Sequence, residues 1–286
     1  MHRNKRANRA AETVKILEQG RYISPSGVVV NISESLQACV AGSLSFTPEQ
    51  LDQIVATVLA SPLSCAATAF EVRNETTLAG ASRLVAEGCR RVGVLNFASA
   101  KNPGGGFLNG SQAQEESLAR GSGLYHSLRH CLDYYEFHRV CATCLYSDRM
   151  IYSPQCPVIR DDQDELLEAP YHVDFITSPA PNAGVVRRNE PGRVAQLDGV
   201  LRTRALKLLA LAIHNGCDAM VLGAWGCGVF QNDPALVAKI FGEHLQPGGP
   251  CYGRLHRVAF SVLDHCDPPA TYLAFVKMFA AKCCDQ

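Results

Sequence analysis

The sequence predicts an α/β protein in which helices cover both faces of a mixed central sheet, a three-layer α/β/α architecture. Strand-like and helix-like segments alternate from about residue 66 onward. Several of the strand-like segments are apolar along most of their length, as in sheets that are buried on both faces. Residues 1–65 look different and mainly helical, so we expect an N-terminal accessory segment there and a second domain over 66–286.

Local signals define the elements of the accessory segment. Residues 8–20 predict an amphipathic helix, and 21–32 predict a β-hairpin with Ser-Pro-Ser-Gly as its turn. The helix at 47–60 has the clearest start, because Thr47 is a favourable cap and Pro48 suits the first turn.

In the second domain, predicted strands and helices follow one another. The predicted strands are 68–74, 90–99, 149–161, 171–181 and 254–264, and the segment 218–230 is predicted as a strand that runs into a glycine-rich loop. The predicted helices are 75–88, 114–129, 194–216, 233–245 and 270–282. This alternation is typical of a sheet with helical connections on its faces.

Charge and composition limit the function classes. Lys plus Arg equals Asp plus Glu at 27 each, which argues against bulk electrostatic binding of nucleic acid. The N-terminus lacks the apolar core of a signal peptide, and no stretch approaches the roughly 20 apolar residues needed to span a bilayer. We therefore expect a cytoplasmic monomer with reduced thiols that binds neither a membrane nor nucleic acid directly.

The chain has 13 cysteines, including a CxxC at Cys141 and Cys144 and the adjacent Cys283 and Cys284. A zinc site would need a second pair of Cys or His ligands at suitable spacing, and the sequence has no clean second half. We expect thiols without ligands, no metal and no cofactor.

Two glycine-rich loops each follow a buried strand. Loop one is residues 96–110, "NFASAKNPGGGFLNG", and loop two is residues 223–234, "GAWGCGVFQNDP". Ligands of open α/β sheets collect at the carboxyl ends of strands, where glycine lets backbone N–H groups approach an anion. Neither loop fits the Walker or the dinucleotide-binding pattern. Together they predict a site for a diphosphate and the sugar beside it.

Two adjacent carboxylates, Glu115 and Glu116, begin the helix after loop one. One interpretation is a simple preference for negative charge at a helix N-terminus, which contributes roughly 0.3–1 kcal/mol. Beside a phosphate–sugar cleft a second interpretation is stronger. Neighbouring carboxylates split their pKa values, so that one can stay protonated near neutral pH and act as general acid for a glycosidic bond.

The combination of GGG at 104–106 with QEE at 114–116 resembles the signature of bacterial-type poly(ADP-ribose) glycohydrolases. Residues 226–230, Gly-Cys-Gly-Val-Phe, resemble the diphosphate loop of these enzymes. The resemblance covers about residues 66–280, and an accessory N-terminal segment is also typical of the subfamily. It implies a macrodomain fold with ADP-ribose at the strand ends and metal-free hydrolysis of the ribose–ribose bonds of poly(ADP-ribose).

The resemblance also implies roles for single residues. Glu116 matches the catalytic acid/base, and Glu115 matches the neighbour that holds hydroxyls around the scissile bond. Phe230 matches the aromatic residue on the distal ribose, and Asn96 lies where macrodomains place a ribose-binding asparagine. The other expected substrate contacts are Gly104, Gly105 and Gly106 at the distal ribose and diphosphate, Gln114 beside them, and backbone N–H groups of Gly226, Cys227, Gly228 and Val229 at the diphosphate.

Adenine recognition has a less distinct signal. The macrodomain pattern places an acidic residue just after the first core strand, which points to Glu75, with Asn74 as its competitor. Glu75 is equally well interpreted as a helix-start carboxylate. Tyr272 is the candidate for stacking on the base.

Two other functions compete with polymer hydrolysis. A non-catalytic ADP-ribose reader would have the same loops but no need of the adjacent glutamates. A hydrolase of mono-ADP-ribosyl groups would have closely similar loops, and the QEE favours the polymer. The expected substrates are therefore poly(ADP-ribose) or ADP-ribosylated proteins, with ADP-ribose as product.

Overall fold

The computed structural model describes residues 2–280, which form nine β-strands and eleven α-helices. The strands are β1 (Arg21–Ile23), β2 (Val29–Asn31), β3 (Leu44–Phe46), β4 (Ala69–Arg73), β5 (Val92–Phe97), β6 (Met150–Arg160), β7 (Leu166–Ser178), β8 (Ala219–Leu222) and β9 (Arg257–Ser261). The helices are α1 (Arg3–Gln19), α2 (Ser33–Gly42), α3 (Pro48–Ala60), α4 (Thr77–Ala86), α5 (Gln114–Gly121), α6 (Leu124–His130), α7 (Leu132–Val140), α8 (Ala183–Asn189), α9 (Leu197–His214), α10 (Pro234–Leu245) and α11 (Ala270–Phe279).

The central sheet is mixed and has seven strands in the order β3-β6-β7-β5-β8-β9-β4. From β7 to β4 neighbouring strands are parallel, whereas β6 pairs antiparallel with both β3 and β7. The carboxyl ends of five strands therefore meet at one edge of the sheet, where ligand sites of α/β proteins form.

Side chains that alternate along β5 enter two different cores. Val94 is fully buried in the same core as Leu78 of α4 and Leu118 of α5. Leu95 points to the opposite face and belongs to the core that contains Leu209 of α9 and Phe241 of α10. Helices thus cover both faces of the sheet, which confirms the predicted three-layer α/β/α fold with a mixed central sheet.

The accessory segment is in direct contact with the sheet. β3 pairs with β6 and forms one edge of the central sheet, and α3 packs against α9. Leu51 and Ile54 of α3 lie in the same core as α9 and α10. The division into two domains at residue 65 stays a prediction, and the structure adds that residues on both sides of it share one sheet and one core.

Where start signals were strong, the helices begin as predicted. Thr47 Oγ1 accepts a hydrogen bond from Gln50 N at 3.3 Å, and Gln50 Oε1 accepts one from Thr47 N at 2.8 Å. These reciprocal bonds form a capping box in front of Pro48.

The continuous helix predicted over 114–129 is wrong. Ser122 has extended backbone and pairs with Val158, so one helix ends before it and another begins after it. A pairing partner that lies 36 positions later in the chain gives no local signal. The sequence reasoning also missed β3, α7 and α8.

The part of the chain that the structure describes contains no helix with the length and apolarity needed to cross a bilayer. Cys141 and Cys144 are free thiols, and among residues 2–280 no group of three or more His, Cys, Asp and Glu side chains could hold a metal ion. Cys283 and Cys284 lie outside the described residues, as does the predicted end of the last helix at 281 and 282.

Candidate active site

A cavity of about 840 Å³ opens at the carboxyl edge of the parallel strands. Segments that follow β4, β5, β8 and β9 line it, and the start of α5 forms a further wall. Both glycine-rich loops therefore contribute to a single cavity, as expected from their positions after buried strands.

Glu115 lies at the floor of this cavity and is only 3% exposed. Ser99 N donates a hydrogen bond to its Oε2 at 2.6 Å, and Asn96 Nδ2 donates to its Oε1 at 3.3 Å. Burial raises the pKa of the Glu115 carboxyl to about 8, and this effect outweighs the lowering effect of the two hydrogen bonds. Most Glu115 side chains are therefore protonated at pH 7.

Glu116 lines the same cavity and is half-buried. Its Oε1 accepts a hydrogen bond from Gly106 N at 3.0 Å. A Cβ atom on Gly105 would lie 2.5 Å from that oxygen. Gly104 and Gly105 also have φ of +67° and +60°, which glycine adopts without steric strain. The glycines thus let the backbone pack directly on the catalytic candidates.

Gln114 joins the start of α5 to the end of β5. Its Oε1 accepts a hydrogen bond from Phe97 N at 2.9 Å, and its Nε2 donates one to Leu95 O at 2.7 Å. These bonds fix both glutamates relative to the sheet. Gln114 also lines the cavity, so its predicted contact with substrate stays a prediction beside this structural role.

Asn96 and the three glycines lie behind the glutamates, outside the cavity lining. Asn96 is fully buried, and its Nδ2 donates to both Glu115 and Thr177. Its Oδ1 has no hydrogen-bond partner among residues 2–280. A buried acceptor without a partner is costly, and the structure bears this cost directly beside Glu115. The ribose contacts expected of Asn96 and of 104–106 stay predictions.

Loop two presents unpaired backbone donors to the cavity. In the described part of the chain, nothing accepts a hydrogen bond from the N–H groups of Gly226, Gly228, Val229 and Phe230. Cys227 differs, because its N–H donates to the backbone oxygen of residue 224 at 3.1 Å. Several backbone N–H groups on one loop form an anion-binding concavity. Three of the four N–H donors expected for a diphosphate are therefore available.

An aromatic pair stands beside loop two. The rings of Phe230 and Tyr146 both line the cavity, with centroids 6.1 Å apart. Tyr146 has φ of +58°, which is uncommon outside glycine. The next residue is held in place, because Ser147 Oγ lies 2.8 Å from His138 Nε2. Sequence reasoning missed Tyr146, since no motif marks it.

The orientation of that histidine follows from its partners. His138 Nδ1 is 2.9 Å from Tyr134 O, which can only accept, so Nδ1 carries the proton and Nε2 accepts from Ser147. Burial lowers the pKa of His138 to about 4, and the ring is neutral at pH 7. Its role at the site is to hold the loop before β6, which contains Tyr146, in place.

At the far end of the cavity, Glu75 is on the wall and Asn74 is not. Glu75 Oε1 accepts hydrogen bonds from Arg83 Nη2 at 2.7 Å and from Ser261 Oγ at 3.0 Å. Asn74 instead forms two hydrogen bonds with the backbone of Asp264. Of the two candidates for the adenine amino group, only Glu75 has an oxygen at the cavity.

The predicted stacking residue is not part of the wall. Tyr272 packs against the apolar core, whereas its neighbour Thr271 lines the cavity. The turn between β6 and β7 is a wall that sequence reasoning missed: Asp162 Oδ1 accepts a hydrogen bond from Thr76 Oγ1 at 2.6 Å. Because these residues are 86 positions apart, no spacing rule could have joined them.

The accessory helix α1 braces the segment that carries the glutamates. Arg3 Nε donates a hydrogen bond to Asn109 O at 2.9 Å, and a Cβ atom on Gly110 would lie 2.2 Å from Arg3 O. Thr13 Oγ1 donates to Arg120 O at 2.7 Å, near the end of α5. α1 therefore contacts both the end of loop one and the helix that begins with the QEE.

The sequence matches a family model, that of the microbial-type PARG catalytic domain, over residues 10–161. A search of the curated proteins gave no match.

Solved structures give close matches over nearly the whole chain. Poly(ADP-ribose) glycohydrolase from Thermomonospora curvata is 49% identical, with a TM-score of 0.93 over 96% of this chain and 100% of that one. Its complex with the inhibitor ADP-HPD gives 48% identity and 0.89 over 96% and 99%. The enzyme from Deinococcus radiodurans in complex with ADP-ribose gives 46% identity and 0.82 over 87% and 98%.

Proposed function

Because the chain belongs to the microbial-type poly(ADP-ribose) glycohydrolases, we propose that it hydrolyses the ribose–ribose O-glycosidic bonds of poly(ADP-ribose) and releases ADP-ribose, with Glu116 as general acid and base and without a metal. The observation that carries this proposal is the position of Glu116. Its carboxyl group lines the cavity that loop two provides with unpaired N–H donors, and it is fixed there by Gly106.

The cavity can accommodate the terminal ADP-ribose unit in one orientation. The diphosphate binds the N–H groups of Gly226, Gly228 and Val229, and the adenine amino group donates to Glu75. The distal ribose then lies between Phe230 and Glu116. Relatives solved with ADP-ribose and with ADP-HPD support this choice of ligand.

The reaction needs a proton on the leaving oxygen and later removes one from water. Glu116 donates a proton to the 2′-oxygen of the adjoining unit while the bond from that oxygen to C1 of the bound ribose breaks. The ribosyl cation that forms is partly balanced by the nearby diphosphate. Glu116, now a carboxylate, takes a proton from the water that bonds to C1. General acid–base catalysis contributes about 10²–10⁴-fold, and positioning supplies much of the rest.

Glu115 has a different role in this scheme. Because its carboxyl group is mostly protonated at pH 7, it can donate a hydrogen bond to a ribose hydroxyl while its oxygens accept from Ser99 and Asn96. It thereby orients the sugar for Glu116. The two glutamates have different roles because Glu115 is buried, whereas Glu116 is only half-buried.

The test is turnover of poly(ADP-ribose) of defined length by Glu116→Gln, with product sizes resolved over time. We expect turnover to fall by at least about 10²-fold, because the amide cannot transfer the proton. ADP-ribose affinity, measured by calorimetry, should stay within about twofold. Turnover within about tenfold of the unaltered chain would show that Glu116 is not the acid. Chelator added to the unaltered chain should leave its rate unchanged.

A further inference from the structure

Three exposed cations adjoin the cavity at its Phe230 end: Lys101, Arg139 and Arg187, here called the cationic rim. Lys101 lines the cavity from loop one, and Arg139 Nε donates a hydrogen bond to Lys101 O at 3.0 Å. On the other side, Arg187 Nη1 donates to Gln231 O at 3.0 Å, the residue after Phe230. A hydrogen bond therefore holds one arginine side chain against the backbone of each loop, Arg139 at loop one and Arg187 at loop two.

The two sides of the rim are joined by one stretch of surface. Asn182 N donates to Cys144 O at 2.8 Å, and Gly184 N donates to Phe230 O at 3.0 Å. The positive charge of Lys101 acts on the Cys144 thiol, where it opposes the burial that raises the pKa of that group. Lys101 therefore lies on the same side of the cavity as the segment that connects to α8.

The rim cations have no carboxylate partner within residues 2–280. Nearby cations do: Arg149 lies 3.9 Å from Asp133, and Arg193 lies 3.5 Å from Glu190. Within the described chain, Arg139 and Arg187 each use a single guanidinium nitrogen for a protein carbonyl. Their remaining N–H groups can bind phosphate oxygens, to which a guanidinium donates two parallel hydrogen bonds.

The opposite end of the cavity carries negative charge. Five acidic residues line it there: Glu75 and Asp164 pair with Arg83 and Arg120, and three have no basic partner within residues 2–280, namely Asp161, Asp162 and Asp264. An anionic chain that continues beyond the bound unit is repelled from that end and attracted to the rim. The rim also adjoins Phe230, beside which the distal ribose and the scissile bond lie in the proposed mode of binding.

On the basis of the function proposed above, we propose that the cationic rim binds the diphosphate of the polymer unit next to the scissile bond. In the polymer, the unit that leaves on its 2′-oxygen carries two phosphates of its own. A single ADP-ribosyl group on a protein has no such diphosphate. The rim therefore selects polymer over single ADP-ribosyl groups, and Lys101, Arg139 and Arg187 are specificity residues.

Binding in a Glu116→Gln background tests this without turnover. Arg139→Ala combined with Arg187→Ala, both outside the cavity lining, should weaken binding of poly(ADP-ribose) of defined length by about tenfold, as the loss of two exposed charge contacts allows. ADP-ribose affinity should change less than about twofold. The slope of log affinity for the polymer against log salt should become shallower by roughly 0.7 for each lost phosphate contact.

The matched control is Arg90→Ala combined with Lys239→Ala, which removes the same charge. Both residues are exposed and lie outside the cavity lining, and Arg90 precedes the amino end of β5, at the opposite edge of the sheet. The affinity of this control for the polymer should equal that of the Glu116→Gln parent.

Four results would overturn the assignment. The first is a parent that binds polymer no more tightly than ADP-ribose, and the second is a rim variant that binds polymer as tightly as the parent. The third is an equal loss of ADP-ribose affinity, which would place the cations in the ADP-ribose site itself. The fourth is competition by single-stranded RNA of equal charge as strong as by the polymer. Failure of the unaltered chain to release ADP-ribose would refute the proposed function instead, while the binding comparison still decides the rim.

Discussion

In loop one Gly105 faces the protein's own carboxyl groups, whereas in loop two Gly228 faces open space. A Cβ atom on Gly105 would lie 2.5 Å from Glu116 Oε1, but one on Gly228 would meet nothing within 4 Å. The N–H of Gly106 is used by Glu116, and the N–H of Gly228 has no acceptor within residues 2–280. Loop one thus fixes the reacting groups, and loop two keeps its donors available for a ligand.

The difference shows that a glycine-rich loop can serve a site in two ways. Both loops follow parallel strands of one sheet and have similar composition, so sequence alone places them in the same class. What separates them is the element packed behind each loop. Loop one is followed by α5, whose first turn carries the glutamates, whereas α10 begins with Pro234 and its cap Asp233.

The largest effect that we expect concerns Glu115, the buried carboxyl group in the first turn of α5, the helix that follows loop one. The pKa of Glu115 is about 8 in the folded chain against 4.5 for an ordinary glutamate. Between these values the folded state holds a proton that the unfolded state has lost, so stability falls as pH rises through this window and is constant above it. Glu115→Gln removes this dependence.

Urea unfolding from pH 5 to pH 9 measures it. From pH 5 to about pH 8 the stability of the unaltered chain should fall relative to that of the variant, because the window begins at the ordinary pKa of 4.5. Between pH 5 and pH 9 the variant should gain up to about 4 kcal/mol relative to the unaltered chain, since about three units of the window lie above pH 5 and each pKa unit corresponds to about 1.36 kcal/mol. Parallel stability curves across this range would show that Glu115 ionises like an exposed carboxyl.

Gly105→Ala tests whether loop one holds the carboxyl group of Glu116 in position. The atom that the new methyl group meets is the end of a flexible side chain, so the fold survives with a loss of about 1–2 kcal/mol from the positive φ. The carboxyl group of Glu116 must move, however, and misplacement by about 1 Å can cost on the order of 10²-fold in rate. We expect kcat to fall by about that factor while ADP-ribose affinity is kept. An unchanged kcat would mean that Glu116 is not held by the loop.

Phe230→Ala separates two roles of the aromatic residue in loop two. If the ring is a wall for the ribose, turnover falls by about 10²-fold while affinity and melting temperature change little, because the backbone donors remain. Phe230 also packs against the apolar core. If it is mainly a loop anchor, affinity and melting temperature fall together with the rate. Normal turnover would remove it from the site.

Gly228→Ala is the counterpart of the loop one substitution and should have the smallest effect. The added methyl group has open space around it, and the backbone there does not require glycine. Stability should change by less than about 0.5 kcal/mol. Since the methyl group stands where a diphosphate approaches the backbone, we expect weaker ADP-ribose binding, by about tenfold, with kcat retained at saturation. A fall in kcat as large as that of Gly105→Ala would erase the distinction between the loops.

The sequence determined the features that depend on near neighbours or on chemistry. Short stretches of sequence specify the succession of strands and helices, the cap at Thr47 and the two glycine loops. The structure contains each of these features. The pairing of GGG with QEE resembles the family's signature, and the family model and the solved structures confirm that membership.

Only the tertiary structure decided how the site is divided among these residues. Adjacent carboxylates in the sequence did not say which of the two has a raised pKa; in the structure burial raises the pKa of Glu115, and burial depends on the strands and loops packed around the side chain. Gln114 joins α5 to β5, and Tyr146 reaches the cavity from a loop without a motif. The edge strand β3 and the split at Ser122 arise from pairing with residues far along the chain. Such contacts depend on how the whole chain folds, and spacing within a short segment does not encode them.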